Sequence, residues 1–185
     1  LNANISYDTR DNRLFPSRGQ YHLISTEVSS EKLGSSSGLA YNRLQGNFRY
    51  YHSLPLSLVL KLNLKLGYVF TFDGGPVPIS ERFFPGGIYS VRGFEPRGLG
   101  PTIRTLVQGD PMSTSTDFIL GGNKEAVFNV EIEFPIIPAA QIKGVVFADA
   151  GNAFNEDQNF FYIDTPESLR PPAYLLTNNE AMPGG

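Results

Sequence analysis

The sequence has no cysteine, no tryptophan and only two histidines among its 185 residues. The missing thiols exclude a disulfide-stapled scaffold and any thiolate metal site. With His22 and His52 alone, a zinc site would need carboxylates at matching spacing, and none are so placed. Charge is also scarce. Asp, Glu, Lys and Arg make up 18% of the chain, and the net charge is −3. No basic surplus is available to hold a phosphate backbone, so nucleic acid is not an expected partner. No apolar run reaches the length of about eighteen residues that a membrane helix needs. Membrane strands remain open, because their alternation averages out in any hydropathy window.

Phosphate and calcium chemistry are also unsupported. The glycines at 87, 93, 98 and 100 are expected to permit tight turns at positive φ. No Lys-Ser/Thr and no helix follow them, as a phosphate-cradling loop requires. Residues 149–157 lack the Asp-x-Asp-x-Asp-Gly pattern of a calcium loop. Gly34-Ser35-Ser36-Ser37-Gly38 matches the outline of a hydrolase elbow but sits in a Ser-rich hairpin loop, not between a strand and a helix. Asn4-Ile5-Ser6 fits a glycosylation sequon inside an expected strand. The sequence therefore implies no cofactor, no metal and no enzyme.

What is abundant is glycine (19), proline (14), phenylalanine (14) and tyrosine (9). Turns and rings in excess, with little charge, argue against long helices and against disorder. The clearest pattern lies at 57–72. Leu58, Leu60, Leu62, Leu64, Leu66, Tyr68, Phe70 and Phe72 alternate with Ser57, Val59, Lys61, Asn63, Lys65, Gly67, Val69 and Thr71. Period two means a strand with one apolar and one mostly polar face, since a helix would wrap such a stripe around its whole surface. The same alternation predicts strands over 43–51, 126–134 and 142–152, with weaker ones over 1–9 and 19–29. At about nine to eleven residues or more, such strands suit a membrane barrel better than an ordinary sheet.

Connections between these strands are short on one side and longer on the other, which is the habit of outer-membrane barrels. Aromatics near strand ends, such as Tyr50, Tyr51 and Phe134 on one side and Tyr68, Phe70 and Phe72 on the other, suit interfacial girdles. The longest connection, 73–124, is the odd one. A loop of this length is usually functional or disordered. Here rings are interleaved with Gly and Pro through Phe83-Phe84-Pro85-Gly86-Gly87-Ile88-Tyr89-Ser90-Val91-Arg92-Gly93-Phe94, a composition that can fold compactly.

Three stretches carry a family resemblance. Phe84-Pro85-Gly86-Gly87 followed by Ser90-Val91-Arg92-Gly93-Phe94 resembles the signature of the BamA-like outer-membrane protein assembly family, the bacterial surface antigen superfamily. Asp8-Thr9-Arg10-Asp11-Asn12 through Phe15-Pro16-Ser17-Arg18-Gly19 is similar to its turn between barrel strands. Val146-Phe147-Ala148-Asp149-Ala150-Gly151-Asn152 is similar to its Phe-x-Asp-x-Gly strand. The three occur in the family's order and span the chain from Asp8 to Asn152.

The resemblance implies an all-β fold. It is an antiparallel transmembrane β-barrel fragment of about six strands from a roughly sixteen-stranded barrel, with 73–124 folded into the lumen. The whole of 1–185 is then a partial C-terminal barrel domain, with 155–185 a truncated extracellular loop; both termini have the look of cut ends. Val91, Arg92, Gly93 and Phe94 form the luminal-loop motif, supported by Phe84, Pro85, Gly86, Gly87, Phe147 and Gly151. Glu133 and Asp149 on the barrel wall are the acidic partners implied for Arg92, which is expected to pair with one or both, since its planar fork can grip a carboxylate with two hydrogen bonds. The implied function is nucleotide-independent insertion and folding of β-barrel proteins in the outer membrane of a Gram-negative bacterium. Implied partners are unfolded outer-membrane proteins as clients, accessory lipoproteins and membrane lipids. A two-partner secretion transporter of the same superfamily, or a barrel fused to a secreted lipase-like enzyme, is the alternative. An isolated six-strand piece is expected to aggregate in water, because its edges and Leu stripe would be bare.

Overall fold

A computed structural model describes residues 1–30, 40–105 and 116–156. The architecture is a six-stranded antiparallel sheet in the order β1-β2-β3-β4-β7-β8, plus a separate two-stranded hairpin, β5-β6. The large sheet comprises β1 (Asn2–Asp8), β2 (Gly19–Ser29), β3 (Tyr41–Ser53), β4 (Val59–Thr71), β7 (Lys124–Ile137) and β8 (Ile142–Phe154). The alternating segments of the sequence become these six strands. β3 and β7 extend beyond their expected ends. β7 tolerates Pro135 because the register shifts between Pro135 and Ile137, at the end of the strand where a missing N–H matters least. Two turns are abrupt. Leu56 and Ser57, between β3 and β4, and Gln141, before β8, adopt left-handed backbone.

The connection 73–124 contains structure of its own. Within it, β5 (Thr102–Thr105) pairs with β6 (Thr116–Ile119). Four-residue strands carry too little alternation to be seen in the sequence. The hydrolase-like Gly34–Gly38 run lies outside the described residues, as does the tail beyond Glu156.

Direct cross-strand partners share a face, so the register sorts the side chains. Leu60, Leu62, Leu64 and Leu66 of β4 align with Ile132, Val130, Phe128 and Ala126 of β7 on one face. On the same face, Val146, Ala148 and Ala150 continue the apolar surface onto β8. This outward face is less apolar on β2 and β3, where Thr26 Oγ1 donates to Asn42 Oδ1 (3.1 Å) and His22 stacks on Tyr7 and meets Phe48 at a tilt. His52 also faces outward, beside Tyr50.

The other face is covered by the long connection. A flat sheet would separate β1 from β8 by about five strand spacings of 4.8 Å. Yet the ring of Phe15, in the β1–β2 turn, lies 5.8 Å from Lys143 Nζ on β8. The sheet therefore curls, with the turn and the loop on its inner side. Among the described residues, β1 and β8 are the edges of the sheet and have no further strand beside them. The buried core sits between loop and wall, where Val77 and Phe83 pack with Tyr41, Val69 and Ala153. Gly67 makes this possible. A Cβ there would lie 2.6 Å from the Phe83 ring, so only glycine opens the dimple that the ring fills.

Candidate functional site on the inner wall

The loop turns sharply just before the candidate site. Gly86 has φ of 115°, and a Cβ on it would meet Glu95 O at 2.4 Å, so the two arms of the loop close directly upon each other there. Gly87 N donates to Phe94 O (3.2 Å), Ser90 N to Gly87 O (3.0 Å) and Leu99 N to Pro85 O (3.1 Å). Gly87, Gly93 and Gly100 also have positive φ. Gly98 does not, contrary to the sequence expectation. It is needed for space, since a Cβ would lie 2.7 Å from Glu95 O. Phe84 is covered by the Arg97 guanidinium at 4.1 Å, while Pro85 and Val91 are buried. Phe94, by contrast, is exposed.

This scaffold aims Arg92 at the wall. Its Nε and Nη2 donate to Asp149 Oδ2 and Oδ1, each at 2.7 Å, and its backbone N–H adds a third bond to Oδ2 at 2.9 Å. Nη1 donates to Glu131 Oε1 at 2.6 Å. The guanidinium lies 3.6 Å from the centre of the Phe147 ring. Stacking on the ring leaves the edge of the guanidinium free for the carboxylates. The paired carboxylates hold Arg92 protonated, pushing its pKa above the ordinary arginine value. The Asp149 side chain is only 2% exposed, so its charge depends on this partner. Gly151, two residues on, lies against β7: a Cβ would meet Val127 Cγ2 at 2.9 Å.

Of the two expected acidic partners, Arg92 meets Asp149 and not Glu133. Glu133 accepts instead from Lys61 Nζ and Lys143 Nζ, both at 2.6 Å. Glu131 and Glu133 share a face, so alternation alone cannot choose between them. The loop enters the sheet at the height of Asp149, whose direct partner on β7 is Asn129. Glu131 is one inward-facing position from that row, whereas Glu133 is two. Sequence reasoning also missed Asn129. Its Nδ2 donates to Ser90 O (2.7 Å) and to Asp149 Oδ1 (2.9 Å), and its Oδ1 accepts from Asn63 Nδ2 (2.8 Å). The available signal was parity, because Asn63 and Asn129 lie on the polar faces of their strands.

Below Arg92 lies a cavity of about 350 Å³ bordered by Arg10, Leu14, Arg49, Asn63, Tyr89 and Glu131, among others. Its floor is the β1–β2 turn, a rigid element. Asp11 accepts from the Ser17 backbone N–H (2.9 Å), the Ser17 hydroxyl, Arg18 N (3.1 Å) and Asn12 N (2.9 Å). These donors hold the Asp11 carboxyl far below the usual range, with the Ser17 hydroxyl the largest cause. Asn12 Oδ1 accepts from Leu14 N and Phe15 N.

Among the described residues no helix is long and apolar enough to cross a membrane; the long elements are strands. Strands of up to fourteen residues, an apolar outward face, a charged inward face and a long connection folded onto that inward face define a class. It is the wall of an outer-membrane β-barrel with an inward-folded loop. More narrowly, the chain belongs to the Omp85 superfamily, whose domain model matches residues 1–168.

Over 157 residues the chain is 28% identical to the outer membrane protein assembly factor BamA of Nitratidesulfovibrio vulgaris, covering 85% of this chain and 18% of that protein. It is 31% identical over 149 residues to the BamA of Neisseria meningitidis serogroup B, covering 78% of this chain and 17% of that protein. A SAM50-like protein of Drosophila melanogaster is 30% identical over 110 residues, or 59% of this chain and 24% of that protein. The chain thus spans less than a quarter of the length of these relatives. The fold is shared with the crystal structure of BamA from Haemophilus ducreyi lacking POTRA domains 1-3. The TM-score is 0.69 at 24% identity, over 83% of this chain and 29% of that one. The chain is a segment of an outer-membrane β-barrel protein.

Proposed function

We propose that the chain is part of a larger barrel that inserts and folds β-barrel proteins in the outer membrane of a Gram-negative bacterium. The observation that carries this reading is the Arg92 turn, gripped by Asp149 and Glu131 on the inner wall. Its Val91-Arg92-Gly93-Phe94 motif is the functional element in this reading, with Phe84, Pro85, Gly86, Gly87, Phe147 and Gly151 supporting it. Clients are unfolded outer-membrane proteins, and the partners are accessory lipoproteins and the lipids around the barrel. No nucleotide is consumed. A client strand pairs with an exposed sheet edge, so backbone hydrogen bonding templates it. Closing edges and burying the apolar face then drive insertion, since open edges in hydrocarbon are costly.

The loop's part is to fill and brace the lumen while the wall works elsewhere. The test is Arg92→Ala in the full-length protein, with client folding into liposomes as the readout. Client folding is expected to drop several-fold while the barrel itself still folds. Unchanged client folding together with an unchanged loop would overturn the reading. A variant that blocks export of a single passenger while other barrels still assemble would point to the two-partner secretion transporter instead.

A further inference from the structure

Asn63, Asn129 and Asp149 are direct cross-strand partners, one each on β4, β7 and β8. Their hydrogen bonds run in one direction. Asn63 Nδ2 donates to Asn129 Oδ1, and Asn129 Nδ2 uses both its protons, on Ser90 O and Asp149 Oδ1. Asp149 receives Arg92 from the other side.

The Asn129 amide can sit only this way. Turned over, its oxygen would face a carbonyl and a carboxylate, three acceptors with no proton among them. Its oxygen must therefore face Asn63, and Asn63 must answer with its NH₂. The consequence is visible at Asn63, whose Oδ1 is buried with no hydrogen-bond partner among the described residues. An orphaned buried acceptor is costly, and such costs are tolerated where a neighbouring arrangement depends on them.

We infer that Asn129 is a positioning residue for the docked loop: it reads the Ser90 carbonyl and fixes the Asp149 carboxylate for Arg92, with Asn63 setting its orientation. Asn129 thus recognises loop backbone directly while acting on Arg92 through Asp149. The inference rests on the proposed reading of the Arg92 turn as the functional element, and it adds the residue that links that turn to the wall.

The test uses the full-length protein in lipid nanodiscs, with Tyr89→Cys carrying a spin label. Tyr89 is exposed at the tip of the turn, so the label should not disturb docking, and its mobility reports whether the loop is held. Asn129→Asp keeps the shape and removes both donors. The introduced carboxylate faces Asp149 from β8, Glu131 from its own strand and Arg92 from the loop, with Lys61 and Lys65 flanking Asn63 on β4. At pH 8 the docked-to-free ratio is expected to fall by about tenfold or more, the scale of losing hydrogen bonds to a charged group. At pH 5, two carboxylates at hydrogen-bonding distance share a proton, a donor returns between them, and docking recovers in part. Asn129→Ser, which keeps one hydroxyl donor, is expected to give an intermediate ratio independent of pH.

A label equally immobile in Asn129→Asp and wild type at pH 8 would overturn the inference. So would a loss of the same size at both pH values, because the effect would then come from shape. Client folding separates the two claims. A freed loop with normal client folding leaves the positioning role standing and sinks the functional reading of the loop. Impaired client folding with the loop still docked removes the positioning role alone.

Discussion

Phe83 and Arg92 lie on the same loop and reach the same wall, yet they are held by opposite chemistry. Phe83, 2% exposed, fills a dimple over Gly67, and its N–H and carbonyl both bond Gly122 across the base of the loop. Arg43 covers its ring at 4.7 Å. The same Arg43 lies 3.8 Å from Glu81 of the loop, a long ion pair beside a contact made mainly by packing. Arg92 makes four side-chain and backbone bonds to two carboxylates and keeps 23% of its side chain exposed. Apolar contact is tolerant of direction and indifferent to salt. A charged fork is demanding in geometry, and losing it leaves a bare charge behind. The base of the loop is thus built as core, and its tip is built as a latch of hydrogen bonds centred on Arg92.

The largest effect expected from breaking this contrast is at the latch. Arg92→Ala strands the nearly buried Asp149 charge and should cost the docked tip about 3–5 kcal/mol. Hydrogen exchange at Ser90 and at the backbone N–H of position 92 should rise, while the Phe83–Gly122 pair stays protected. Phe83→Ala should cost about 3 kcal/mol through the emptied dimple, with the opposite exchange pattern. If either variant opened both regions together, base and tip would be a single cooperative unit. Arg92→Lys should cost about 1–3 kcal/mol, because an ammonium cannot make the two-pronged contact with Asp149. Spin-label mobility at residue 89 would rank it between wild type and Arg92→Ala. Glu133→Gln should cost about 1 kcal/mol and leave the tip docked, since its partners Lys61 and Lys143 both keep part of their side chains exposed and neither touches the latch.

A smaller effect sets the rigid turn apart from both anchors. Asp11 has a folded pKa far below its unfolded value of 3.8. A depressed carboxyl contributes stability above the unfolded pKa and loses it as pH falls through the folded one. The turn should therefore loosen only below about pH 4. Amide exchange at Ser17 and Arg18, corrected for intrinsic rates, would register this; full protection at pH 2 would contradict it.

The sheet was largely legible because its strands are long and one face is apolar. Leu58 to Phe72 alternate without a break, and no helix could use that stripe. The β5–β6 hairpin was not legible, since its strands are short. The latch was half legible. Arg92 and Asp149 stand out through the motifs that hold them, but choosing Glu131 over Glu133 requires the height at which the loop meets the wall. That height follows from the fold of the long connection, a property no local spacing encodes. Asn129 escaped notice for a related reason. An asparagine on a polar strand face is unremarkable until the row on either side of it is known.

That row extends further than the latch. Asp8, Tyr21, Arg49, Asn63, Asn129 and Asp149 are successive cross-strand partners, one from each strand of the large sheet. A slip of one residue in any strand would turn its member of this row towards the hydrocarbon. For β4, β7 or β8 it would place an amide or a carboxylate among lipid tails, an expensive error. The polar row thus ties the register of all six strands to the placing of their polar side chains on the inner face.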